Sequence, residues 1–201
     1  MRASPVLALL LLGGAAALVL SRTGRRIDAG TAVRLDLPDL VGQADLVLEG
    51  RVVERRVVQD GRGRIETALT LAVERTFWGE PRALREVRMP GGVLPDGRGM
   101  VLPGMPDLAL GEDVLLFLSQ PGDTGIRMPV GLAQGKLRVV SSLSGERLLV
   151  RTQADLNLVD PRYGTVHQAG GRTVLDYAQT VARIHAAVEA RKARAVSGEE
   201  G

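Results

Sequence analysis

The 201-residue chain predicts a mainly β domain: a small five- to seven-stranded antiparallel barrel of the OB type, with a short N-terminal helix and a longer C-terminal helix. Three observations carry that expectation. Short apolar runs succeed one another at roughly 10–15-residue spacing, with no helical pattern between them. One of them alternates strictly: Ile65, Thr67, Leu69, Leu71 and Val73 point one way and Glu66, Ala68, Thr70, Ala72 and Glu74 the other, as in an antiparallel sheet with one buried face. A long Gly/Pro-rich loop separates the third strand from the fourth, and Gly50 interrupts the first where a bulge or sharp bend would curl a sheet.

In order, Asp36 can cap a short helix in which Leu37, Leu40, Val41 and Ala44 recur at i, i+3, i+4 and i+7 and Pro38 suits the first turn. Strands follow over residues 46–58, 65–73 and 84–89. Residues 114–118 form a continuous apolar run, expected to be the most buried strand. Residues 126–130, 137–140 and 147–152 complete the set. Residues 155–172 read as loop. Thr173 and Asp176 open a helix over 173–194, with Val174, Ala178, Val181, His185 and Val188 on one stripe. The expected domains are thus a signal peptide or anchor over 1–26, a barrel over 34–152, an extension over 153–195 and a disordered tail over 196–201.

Residues 5–20 are uncharged and mostly Leu, Ala and Val, preceded by Arg2. This is the pattern of a secretory signal, slightly short for a span of about 20 residues. A cleaved signal and an uncleaved membrane tether both fit, so an exported protein, periplasmic or secreted, is expected. Cysteine is absent, which excludes disulfides, thiolate catalysis and cysteine-bound zinc. The net charge is +3, and its basic clusters lie near the ends at Arg22–Arg26 and Arg191–Arg194. Aromatic content is 2%. Neither feature suits a nucleic-acid groove, which needs a basic stripe and stacking rings.

The stretch Ala44-Asp45-Leu46-Val47-Leu48-Glu49-Gly50-Arg51-Val52-Val53 is similar to the first strand of the OB-fold modules in tissue inhibitors of metalloproteinases and netrin-like domains. Val73-Glu74-Arg75-Thr76-Phe77-Trp78-Gly79 and Leu110-Gly111-Glu112-Asp113-Val114-Leu115-Leu116-Phe117-Leu118 resemble later parts of the same modules. The chain also resembles a group of uncharacterised exported bacterial proteins carrying G-G-x-x-x-D-G-x-G-M and G-L-A-Q-G-K. The likeness covers about residues 44–140 and implies an OB-like barrel. It does not carry over the inhibitors' zinc chelation, which requires an N-terminal cysteine.

No catalytic constellation stands out. His167 and His185 are the two histidines; the first reads as a surface loop residue and the second as packed on the helix stripe. Ser141, Ser142 and Ser144 lack a nucleophile elbow and read as a turn. Residues 131–136 miss the phosphate-loop spacing by one residue and have Leu137 where Ser or Thr would bind magnesium. Asp96, Asp107, Glu112 and Asp113 lack the alternation of a calcium loop. Catalytic residues, metal ligands and cofactors are therefore each expected to be none. The expected function is an exported, non-enzymatic protein-binding module whose partner is an exported protease or another protein. Its binding edge would be Gly91, Gly92, Asp96, Gly97, Gly99, Met100, Gln134 and Lys136. The alternatives are an envelope protein holding a small ligand or metal with the 91–107 loop, and, less favoured, a hydrolase.

Overall fold

The computed structural model describes residues 30–153, 156–169 and 171–198. The signal or anchor over 1–26 lies outside the described residues, as do residues 199–201 of the expected tail. Among the described residues no helix is long and apolar enough to cross a membrane.

A seven-stranded antiparallel sheet dominates. It comprises β2 (Leu46–Gln59), β3 (Ile65–Trp78), β4 (Leu84–Pro90), β7 (Asp113–Leu118), β8 (Lys136–Ser141), β9 (Arg147–Thr152) and β12 (Arg172–Asp176), in the spatial order β12-β9-β8-β7-β2-β3-β4. A three-stranded sheet joins β1 (Gly30–Val33), β10 (Leu156–Val159) and β11 (Val166–Ala169), and a hairpin joins β5 (Gly92–Val93) to β6 (Gly99–Met100). Two helices complete the fold, α1 (Leu37–Gln43) and α2 (Tyr177–Gly198), with a single 3-10 turn at Leu132–Gly135.

The short first helix, the long last helix and the antiparallel β-rich class match the sequence expectation. A closed barrel does not form among the described residues: the sheet ends at β4 and β12. Residues 126–130, expected as a strand, lie between β4 and β7 but make only isolated bridges, Arg88 with Ile126 and Leu118 with Pro129. Pro129 has no N–H to give to a ladder. Residues 173–176 belong to β12 rather than to the helix, and β10 and β11 occupy part of what reads as loop. Asp176 still caps α2, its carboxylate accepting from the Gln179 N–H at 2.7 Å.

The core divides across the sheet. Because neighbouring strand residues face opposite ways, Val47, Leu115, Phe117, Leu137, Val139 and Leu149 point toward the helices, where they meet Leu40 and Val41 of α1 and Val181, Ile184 and Val188 of α2. Leu46, Leu48, Val52, Leu69, Leu71, Val87, Met89, Val114, Leu116 and Leu118 point the other way and gather into a second core with Leu108. Asp36 and Asp39 close a reciprocal capping box at the start of α1, at 2.9 and 3.0 Å. At its other end Arg191 of α2 donates to the Val41 and Ala44 carbonyls and stacks over Trp78 at 4.2 Å. This satisfies carbonyls that a helix end leaves free. His185 does not share the buried stripe: its exposed ring meets Phe77 edge-on at 5.3 Å.

Gly50 marks the bend expected of it. The β2–β3 register shifts between Glu49 and Gly50, and a Cβ at Gly50 would sit 2.4 Å from the Ala72 carbonyl oxygen. Gly50→Ala is therefore expected to prise β2 from β3 and cost about 1–3 kcal/mol, since rigid backbone opposes the added carbon. Urea denaturation of the variant measures this.

Beside Gly50, Glu49 is 2% exposed on the helix-facing side. It accepts from Arg147 and, at 2.7 Å, from the Tyr177 hydroxyl at the start of α2. Arg147 also stacks on the Tyr177 ring at 4.1 Å. Burial, with the hydrogen bond to the Glu49 carboxylate, pushes the Tyr177 phenol above its ordinary value. A group whose pKa is raised on folding contributes stability fully below its unfolded value, here about 10, and that contribution is lost as pH rises further. The urea midpoint should fall as pH rises above about 10 in the wild type, and less steeply in Tyr177→Phe.

Candidate functional site

The second core is left unroofed at one end, and the long loop lies across that opening. Gly91 and Gly92 take positive φ, 93° and 136°, and a Cβ at Gly92 would meet the side chains of Thr67 and Val57 at 2.7 Å. The Thr67 hydroxyl donates to the Gly91 carbonyl at 2.7 Å. These contacts press the start of the loop onto β2 and β3 before it turns through the β5–β6 hairpin. Below it is a hollow of about 260 Å³, lined among others by Leu69, Met89, Met100, Leu102, Met105 and Leu108. Three of the five methionines of the chain converge here. Methionine is flexible and polarizable, and adapts to apolar groups of differing shape. Val93 and Val101 stand exposed at the rim.

A second, wider hollow of about 950 Å³ lies beyond residues 105–107, which border both. Its floor is the helix-free face of β8, β9 and β12, with Val140 and Val150, and its walls are the 104–113 segment, Lys136, Arg138 and Arg172. The intervening ridge is pinned from both sides. On the hollow's side Arg55 pairs with the Asp107 carboxylate at 3.5 Å. On the groove's side the Lys136 ammonium donates to the Asp107 carbonyl and pairs with Glu112 at 2.7 Å. Glu112 also accepts from the Ala109 N–H at 3.0 Å.

The residues expected at a binding edge fall into three places. Gly91, Gly92 and Met100 line the apolar hollow, with Gly99 opposite Val93 in the hairpin. Asp96 and Gly97 form the hairpin tip, away from the hollow. There the Arg98 N–H and then its guanidinium bind the Asp96 carboxylate and hold it below its ordinary range. Lys136 walls the groove. Gln134 is set apart from these: it is 1% exposed, its amide donates to the Val33 and Gly131 carbonyls, and its oxygen accepts from the Leu35 N–H. The Val33 and Leu35 contacts fasten the entering chain to the 3-10 turn and the Gly131 contact closes the turn itself, so Gln134 acts as a buried structural staple.

The acids considered as calcium ligands each face a cation instead: Asp96 with Arg98, Asp107 with Arg55, Glu112 with Lys136 and Asp113 with Arg51 at 2.7 Å. No group of three or more metal-ligating side chains occurs among the described residues. Ser142 and Ser144 bond each other at 2.8 Å in the β8–β9 turn. The sequence reading missed the methionine cluster, whose signal was the placing of three of five methionines within residues 89–105. It also missed Arg138 and Arg172, which face one groove only because β9 lies between their strands.

A comparison with protein-family models finds none that matches the chain, and a comparison with curated proteins finds no significant match.

Lys136→Met would leave the half-enclosed Glu112 carboxylate without its cation and release the ridge. A loss of about 1.5–3 kcal/mol is expected, read as a lowered urea midpoint. Faster amide exchange over residues 105–112 should accompany it.

Proposed function

We propose that the chain is a non-enzymatic binding module for another protein, and that the apolar hollow beneath the 91–107 loop takes one side chain of an extended segment of that partner. The observation that carries this is the Met-lined opening at the end of a packed core. Its volume of about 260 Å³ is below the roughly 300–1,000 Å³ of sites that enclose a small molecule. It still exceeds a cavity of about 150 Å³ that holds benzene. One Leu-, Met- or Phe-sized anchor suits it, and buried anchors of this kind carry most of the energy of protein interfaces.

Other features support the reading. The positive-φ glycines and the doubly pinned ridge fix the shape of the rim before anything binds, which lowers the ordering cost of association. Residues 126–130 bridge both β4 and β7, which supports an OB-like arrangement of the sheet and, with it, the resemblance to netrin-like modules. An exported protease remains one partner consistent with the apolar run at residues 5–20, which supports an exported or membrane-tethered protein.

The groove's volume of about 950 Å³ favours a second reading, an envelope protein that holds a small ligand at this edge. Its metal version is weakened because the nearby carboxylates already face cations.

Selection of random displayed peptides on the full chain, held in lipid nanodiscs, separates these. Selected peptides are expected to share one apolar position and to lose at least ten-fold in affinity toward Met100→Asp and Met105→Asp, provided both variants keep the wild-type circular dichroism. Peptides without a shared apolar residue, or indifferent to both substitutions, would remove the protein-binding reading.

A further inference from the structure

The groove beyond the ridge carries a charge pattern of its own. Its lining contains three acids, Asp107, Glu112 and Asp113, and three bases, Lys136, Arg138 and Arg172. Each acid has a partner: Asp107 with Arg55, Glu112 with Lys136, Asp113 with Arg51. Arg55 and Arg51 come from outside the lining, so Arg138 and Arg172 are left over, two positive charges with no carboxylate against either among the described residues. Both are exposed.

Their placing follows from register. Arg138 on β8 stands opposite Val150 on β9, and Arg172 on β12 stands opposite Thr152, two residues further along β9. Paired residues share a face, so both arginines and the Thr152 hydroxyl rise from the floor on which Val140 and Val150 lie. Two strand spacings across and two residues along put their Cα atoms about 12 Å apart. Helices α1 and α2 cover the opposite face, while on this one the guanidinium-bearing Arg138 and Arg172 stay exposed beside the buried Val150. A guanidinium is a planar, permanently charged fork that matches carboxylate geometry.

We infer that the groove receives acidic side chains of the same partner segment whose apolar residue fills the neighbouring hollow. The occupant is an extended acidic–apolar stretch that crosses the 105–107 ridge, with carboxylates roughly two to four residues apart, the spacing at which an extended chain spans the two arginines. This rests on the protein-binding reading and adds the chemistry of the partner. The attraction is electrostatic at a solvent-open surface, so it weakens as salt rises, whereas apolar anchoring does not.

The same peptide selection tests both statements separately. Beyond the shared apolar position, Asp or Glu should be enriched within a few residues of it. Arg138→Ala with Arg172→Ala should weaken such peptides at least ten-fold at low salt and leave their Asn/Gln analogues unchanged. Arg138→Lys with Arg172→Lys should keep most of the affinity. Both arginines are exposed and face no carboxylate among the described residues, so their replacement leaves the fold intact, which an unchanged urea midpoint checks. If the peptides share an apolar residue but no acids, or the double alanine variant binds acidic peptides as well as the wild type does, the groove inference is overturned and the protein-binding reading stands. If acids are enriched without a shared apolar residue, the acidic–apolar occupant is overturned together with the anchoring hollow. If no peptides are enriched, both fall.

Discussion

Everything in this protein hangs on the first half of β2, where Leu46 to Gly50 is buried on both sides. Strands at the surface of a sandwich need only one apolar face, but this segment supplies Val47 to the helix-side core and Leu46 and Leu48 to the other. It also pairs with β3 on one edge and β7 on the other. Burying a leucine fully is worth about 1.5–3 kcal/mol, so this short stretch, with β7 beside it giving Leu115 and Phe117 to one core and Val114, Leu116 and Leu118 to the other, holds the two cores together. Gly50 lets β3 approach closely enough for that double contact, and Glu49, the one charge admitted there, is answered by Arg147 and Tyr177. The helix-side core then seats α2, and the opposite core, left open at one end, becomes the hollow under the loop. The candidate hollow and the hydrophobic core are thus one continuous object.

The sequence made much of this legible where the physics is local. The period-2 alternation of β3, the continuous run of β7 and the capped start of α1 all depend on residues within a few positions of each other, and each strand or helix appears close to where it was expected. The alternation was less simple than it looked: Glu66, on the face that reads as wetter, is 1% exposed beneath Arg88, a contact between strands that spacing along one strand cannot report. The expectation failed wherever the outcome was decided at long range. Whether the sheet closes depends on how many ladder bonds residues 126–130 make with β4 on one side and β7 on the other; each side has a single bridge, and Pro129 has no N–H to extend the one with β7. Residues 173–176 have a fair helical pattern, yet β9 offers them a strand partner and takes them.

The candidate site divides along the same line. Gly91, Gly92 and Met100 were legible because glycine pairs and a lone flexible apolar residue in a loop signal a shaped edge. Gln134 was misjudged for a physical reason. A polar residue between glycines looks available, but here it answers two backbone groups about a hundred residues away in sequence, the Val33 carbonyl and the Leu35 N–H, at |i−j| of 101 and 99, and no local pattern records such a debt. Arg138 and Arg172 were invisible for the converse reason, since their adjacency exists only through β9.

Lys136 has a consequence outside binding. It is one of two lysines, and its ammonium is engaged by Glu112 and the Asp107 carbonyl. Lys192 lies on α2, across the sheet from both hollows, with a side chain 56% exposed. Amine-directed reagents will therefore meet, apart from the chain's N-terminal amine, one readily accessible handle on the folded body. Attachment to a bead, a dye or a sensor chip at that point presents the ridge outward, so the protein arrives at an assay already oriented.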